Sequence, residues 1–196
     1  MPRLPWLLRD AWLSRLLLRS QRGDREAFRD LYRALYEPVS RYLRRRVPNP
    51  AEAEDLMGQV FLRMLESLDR IDPSKGTVFA YALSMARNAL VDDARRRRGM
   101  VPEEAAAALP DLGAGPLDRL MGEEDTRRIR EELARLSAET RELLLLRFGD
   151  GLRFAEIAQM MGLNEAAVRQ RTSRAVRELR SRWDAGPERG ALANDG

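Results

Sequence analysis

Between Gly151 and Arg180 the sequence sets a short and a long helical pattern end to end and loads the second with guanidinium and amide groups. In the run Phe154 to Met161, the residues Ile157, Ala158 and Met161 fall on one helical face, and the small Ala158 admits a neighbouring helix at close range. Gly162 can take the positive φ that ends a helix, Leu163 can plug the angle, and Asn164 can cap the second helix. At ~100° per residue, Val168, Thr172, Ala175, Leu179 and Trp183 share one face of the second helix. Ala166, Gln170, Ser173, Arg174 and Arg177 share the opposite face, with Arg169 and Arg171 at its boundary. The chemistry open to such a face is hydrogen bonding, since a guanidinium fork meets guanine O6 and N7 together and discriminates by about 1–3 kcal/mol. Arg169, Gln170, Arg171, Ser173, Arg174 and Arg177 are the candidate contacts to a DNA major groove, and Arg153 is a candidate phosphate contact beside the first helix. Arg153 stands where a capping hydroxyl would save about 1 kcal/mol, while Glu156 supplies the other half of a capping box. The competing reading is an ordinary amphipathic surface helix, and the turn residues together with Ala158 favour the helix-turn-helix.

The composition removes other chemistries. Without Cys or His there are no disulfides, no usual zinc or haem ligands, no thiol nucleophile and no imidazole base. No glycine-rich phosphate loop and no nucleophile elbow occurs, so neither an enzyme nor a cofactor is expected. Thirty-five Lys and Arg against 31 Asp and Glu leave a net charge of only +4, so distribution matters more than the total. Lys75 is the single lysine, and the arginines gather at 44–46, 95–98 and 169–182, as a polyanion partner requires. The apolar stretch Leu4 to Leu18 is broken by Arg9, Asp10 and Arg15, which argues against a signal peptide or membrane insertion and for a cytoplasmic protein.

The elements that must position these residues read as helices throughout. Phe28, Leu31, Leu35, Val39 and Tyr42 recur at three- and four-residue steps, with Asp24 as N-cap and Pro38 expected to kink or restart the helix. A second helix starts at Asn49-Pro50 and carries Leu56, Val60, Phe61, Met64 and Leu68. Asp72 to Gly76 reads as a turn, and a third helix spans about Val78 to Arg97 with Tyr81, Met85 and Leu90 inward. Helices are expected at Asp125 to Leu136, Glu139 to Phe148, Arg153 to Met161 and Asn164 to Trp183. The fold class is all-α: a helical domain at 1–98, a Pro- and Gly-bearing flexible linker at 99–122, a helix-turn-helix domain at 123–184 and a disordered tail at 185–196. The first residues, with Trp6, Leu7, Leu8, Trp12 and Leu13, are expected to extend a helix packed on the first domain.

Together these residues resemble bacterial RNA polymerase sigma factors of the extracytoplasmic-function (ECF) group, which carry regions 2 and 4. Residues 23–28 are similar to the start of region 2, Ala53 to Leu56 with Val60 to Leu62 to its clamp-binding helix, and Asp72 to Gly76 to the loop before region 2.3. Gly151-Leu152, Glu156 to Ala158, Val168, Arg171, Arg174-Ala175 and Leu179-Arg180 resemble region 4. The resemblance implies a subunit that binds core polymerase, reads the minus-thirty-five element with region 4 and melts the minus-ten element with region 2. It implies that Asp72, Ser74, Lys75, Tyr81, Arg87, Asn88, Arg95 and Arg96 meet the minus-ten strand, and that Glu54, Asp55, Leu56, Gln59 and Phe61 meet the clamp of the largest subunit. The flap of the second subunit, promoter DNA and an anti-sigma factor are the further partners it implies. From the residues alone, Tyr81 fits a core aromatic equally well, Asp55 can merely favour a helix dipole, and Leu56, Met57 and Phe61 are core or interface. The sequence departs from the family's habits at Gly58-Gln59, Tyr81, Ser137 and Arg153.

The 24 residues from 99 to 122 reach at most about 80 Å at ~3.3 Å each, against roughly 70 Å for two DNA turns. Both promoter elements are within reach. The alternative function is a helix-turn-helix regulator whose first domain senses a ligand or dimerises, and the Asp72 to Gly76 loop followed by Arg87-Asn88 and an arginine run distinguishes the two.

Overall fold

The computed structural model describes residues 6–98 and 123–184. Residues 1–5, the linker, the tail and the side chains of Trp6, Arg97, Arg98, Glu123, Glu124, Asp125 and Thr126 lie outside the described residues. All described regular structure is helical: α1 (Trp6–Ser20), α2 (Arg25–Arg44), α3 (Pro50–Glu66) and α4 (Val78–Arg98), then α5 (Glu123–Ala134), α6 (Ala138–Leu144), α7 (Phe154–Met161) and α8 (Glu165–Asp184). A 3₁₀ turn at Leu68–Arg70 follows α3.

Local chemistry sets the boundaries. Asp24 opens α2 by accepting the Ala27 amide at 3.0 Å, and Asn49 opens α3 by accepting the Ala51 amide at 3.0 Å ahead of Pro50. Pro38 neither breaks nor restarts α2, which runs unbroken through it. Proline forfeits one amide bond, but Ala34 and Leu35 before it and Val39, Tyr42 and Leu43 after it are all buried, so packing on both sides carries the helix across. The Ala27 amide, then the Arg19 guanidinium, hold the Asp24 carboxyl below its ordinary 3.8. Because that value is depressed, the cap's stabilisation is present above pH 3.8 and lost as pH falls through the folded-state value. A carboxyl-detected NMR titration is expected to place the Asp24 midpoint below 3.8; a midpoint at or above it removes the cap.

Helices α1 to α4 pack as one unit around Leu13, Leu17, Leu31, Leu35, Leu43, Leu56, Met64 and Leu83. From Trp6 onward the N-terminal residues extend this unit as a helix, with Leu13, Leu16 and Leu17 buried and Leu7 and Leu8 exposed. The two units are not separate in space. Leu143, Leu146, Leu152, Ile157, Ala158, Met160 and Val168 join the same buried cluster, with α7 lying against α4. A second, smaller cluster of Leu136, Leu144 and Ala175 holds α6 and α8 together. Between α6 and α7 a single wide turn of π-helix, Leu145–Gly149, closes with the Asp150 amide on the Leu145 carbonyl at 2.8 Å, and Gly151 takes φ 74° to redirect the chain.

Candidate nucleic-acid interface

The helix-turn-helix forms from the residues that announced it. The Arg153 amide donates to the Glu156 carboxylate at 2.8 Å, so the Glu156 half of the capping box is in place without a capping hydroxyl. Gly162 ends α7 at φ 64°, and Asn164 accepts the Ala166 amide at 2.8 Å to start α8. Val168, Thr172 and Ala175 are buried, and the Thr172 hydroxyl satisfies itself on the Val168 carbonyl at 2.8 Å. Ala166, Arg169, Gln170, Arg171, Ser173, Arg174 and Arg177 are all exposed.

Their partners sort these residues. Arg169 pairs with Glu165 at 2.7 Å and stacks 4.8 Å from the Phe154 ring, and Arg171 pairs with Glu139. Arg174 makes no hydrogen bond or ion pair with any described residue. It lines a groove of ≈ 360 Å³ between α6 and α8 with Arg135, Ser137, Glu139, Arg171 and Glu178. Arg153 is already engaged: it is bound to Asp10 of α1 and to Glu156, and although burial works against its charge, those two acids, Glu156 first, hold its guanidinium above the ordinary value. The structure thus removes it from the exposed contact set.

The loop before α4 is shaped by Asp72, which accepts the Ser74 amide at 2.9 Å and the Ser74 hydroxyl at 2.7 Å. The hydroxyl, then the amide, hold the Asp72 carboxyl below its ordinary range. Lys75 stands out at 84% exposure, and Thr77 caps α4 through the Ala80 amide at 3.0 Å. Along α4, Tyr81, Asn88 and Arg95 are seven residues apart and so share one stripe. Tyr81 is half-buried against the core, whereas Asn88, Arg95 and Arg96 are exposed. Arg87 is not available to a phosphate in this arrangement, because Glu142 of α6 grips it at 3.0 and 3.3 Å.

On α3, Glu54 and Asp55 are exposed and Gln59 partly so. Leu56 and Phe61 are core residues, 2% and 7% exposed, and the Phe61 ring packs 4.4 Å from Tyr32. They support the surface rather than forming it. Its apolar part is Leu62 and Leu65, 57% and 51% exposed, on the same side as Asp55 and Gly58. The signal in the sequence was the step Gly58, Leu62, Leu65, which continues Asp55 along one face at helical spacing.

Among the described residues no group of acids could hold a metal, and no helix is long and apolar enough to cross a membrane. Residues 31–99 match the Sigma-70 region 2 family and residues 126–179 match Sigma-70, region 4. The chain is 31% identical to the ECF RNA polymerase sigma factor BldN of Streptomyces coelicolor over 86% of its length, and spans 65% of that relative. It is 32% identical to the ECF RNA polymerase sigma factor ShbA of Streptomyces griseus, over 85% of this chain and 92% of that one. The solved structure of CnrH in complex with the cytosolic domain of CnrY overlays 88% of this chain and 97% of that one, with a TM-score of 0.60 at 22% identity, a likeness of fold.

Proposed function

Since this chain belongs to the ECF RNA polymerase sigma factors, and so recognises promoters for RNA polymerase, we propose that its two readers divide the promoter between them. The exposed face of α8 reads duplex minus-thirty-five DNA: Arg174, Gln170 and Ser173 face the bases, and Arg169, Arg171 and Arg177 sit where phosphates pass. The Asp72 to Gly76 loop, with Tyr81 and Asn88 on one stripe of α4, receives the melted minus-ten strand, where a flipped base needs polar and stacking groups rather than a groove-filling helix. Lys75, Arg95 and Arg96 supply phosphate contacts, and Arg87 joins them once Glu142 releases it. Glu54, Asp55, Gln59 and the exposed Leu62 and Leu65 dock on the polymerase clamp.

The observation that carries this reading is the coexistence, on one chain matched by both regions, of an exposed Arg174 without a partner among the described residues, on a recognition helix, and a structured polar loop leading into an arginine-bearing helix. A sensor or dimerisation role for the first unit is set aside by its match to region 2. The family is not a family of enzymes; we propose that the chain has no catalytic centre of its own, works in the cytoplasm and is held by an anti-sigma factor. Run-off transcription with core polymerase on a promoter library is expected to yield discrete start sites that depend on this chain. DNA binding with no discrete transcripts would overturn the reading.

A further inference from the structure

The loop assigned to the minus-ten strand is bound at its entry by a side chain from the corner between α1 and α2. The Gln21 side-chain amide donates to the Leu68 carbonyl at 2.9 Å and to the Ile71 carbonyl at 2.8 Å. These carbonyls stand at the two ends of the 3₁₀ turn after α3, which closes with the Ile71 amide on the Leu68 carbonyl at 3.2 Å. Leu68 and Ile71 bury their side chains in the core of the N-terminal unit, so the segment is held between that core and Gln21.

The corner that carries Gln21 is itself fixed. Its backbone amide donates to the carbonyl of the buried Leu17 at 2.9 Å, and the Gly23 and Asp24 amides return to the Ser20 and Arg19 carbonyls at 2.9 and 3.2 Å. Gly23 takes φ 87°, and the Arg19 guanidinium closes the corner on the Asp24 carboxylate at 2.9 and 2.6 Å. Gln21 keeps only its own side-chain torsions, and two hydrogen bonds from one nitrogen set those.

A peptide group is planar, so a bond to the Ile71 carbonyl also orients the Asp72 nitrogen in the same plane. Asp72 in turn shapes the loop through the Ser74 amide and hydroxyl. The far end is held differently: Thr77 caps α4, and Gln159 of α7 accepts the Thr77 amide at 2.9 Å. That last bond belongs to the contact between the units, alongside the ion pairs of Glu142 with Arg87, Asp150 with Arg45 and Arg46, and Glu156 with Arg9. The Gln21 bonds lie wholly within the N-terminal unit. The residues matched to region 2 begin at Leu31, so Gln21 stands ahead of them.

We propose that Gln21 is a positioning residue for strand capture: it fixes the entry of the Asp72 to Gly76 loop against the core and so sets the geometry in which the loop receives the melted strand. The proposal rests on the minus-ten reading of that loop. A site that reads an unstacked base must hold its groups to within about 0.5 Å, and a loop does so only when its ends are tied to rigid elements. Serving both carbonyls takes a group with more than one donor, which a side-chain amide or an ammonium supplies and a thioether does not.

Two variants separate the donors from the volume of the side chain. In the free full-length chain, Gln21→Met is expected to raise amide hydrogen exchange across residues 72–76 about fivefold to tenfold and to leave α2 and α3 unchanged. Gln21→Lys, whose ammonium can donate to both carbonyls, is expected to keep exchange slow. In the polymerase-bound chain, a fluorescent single strand carrying the minus-ten element of a start site found in the library is compared with a strand substituted within that element. Gln21→Met should lower the preference for the matched strand about fivefold to tenfold. Gln21→Lys should retain it, and its added charge acts on both strands alike. Both variants should keep wild-type affinity for core polymerase and for minus-thirty-five duplex, which a general loss of structure would not spare. Unchanged exchange in Gln21→Met, unchanged strand preference in Gln21→Met, or equal losses in both variants would overturn the positioning role. Absence of strand preference in the wild type would instead strike the minus-ten reading, and the exchange result, obtained without DNA, tells the two failures apart.

Discussion

Replacing Arg174 with alanine is expected to cut the preference of the loaded polymerase for its own minus-thirty-five element over a scrambled one by about 5- to 150-fold, the equivalent of about 1–3 kcal/mol for one bidentate arginine–guanine pair. The size of the effect comes from how the exposed arginines are held. Arg169 and Arg171 enter any complex already paired with Glu165 and Glu139, so part of what they gain from DNA replaces an ion pair they give up. Arg174 surrenders no partner among the described residues. It also stands on the rim of the groove between α6 and α8, one turn beyond Gln170. Arg171→Ala should therefore discriminate less sharply while still weakening binding to every sequence. Paired run-off reactions on the native and scrambled elements measure the ratio, and an unchanged ratio for Arg174→Ala moves base readout elsewhere on α8.

Leu31→Ala is expected to destabilise the chain by about 2–5 kcal/mol, a large share of the stability of a small domain. Leu31 is fully buried near the middle of α2, and its removal leaves a cavity that neighbouring leucines on three other helices must either tolerate or collapse into. The exposed Leu62→Ala should shift stability by no more than about 0.5 kcal/mol. Urea unfolding followed by circular dichroism separates the two; coincident midpoints would show that the core does not depend on Leu31.

Much of this architecture was legible because it is written locally. The caps at Asp24, Asn49 and Asn164, the left-handed Gly162 and the division of α8 into buried and basic faces each depend on neighbours within one or two turns, and each formed as read. Pro38 misled because the rule for an isolated helix lost to packing on both sides of it. The union of the two units was not legible, since it depends on residues more than fifty positions apart. Glu142 reads as a solvated helix residue until Arg87 arrives from α4. A trace was present: Glu142, Leu146 and Asp150 recur at four-residue steps, setting two acids on a stripe otherwise apolar. Of the site, the recognition arginines could be named from sequence, because exposure follows from helical phase. Arg153, Leu56 and Phe61 could not be placed, because their surroundings come from α1 and α2.

The cations across the contact between the units are all guanidinium groups, with neither imidazole nor amine among the pairs that hold it. Arginine keeps its charge throughout the range of acidity in which proteins work, whereas histidine is the side chain that switches within it. The basic side of the junction therefore carries no group that switches near neutrality. An anion that reaches Arg87, Arg45, Arg46 or Arg9 competes with a carboxylate already in place.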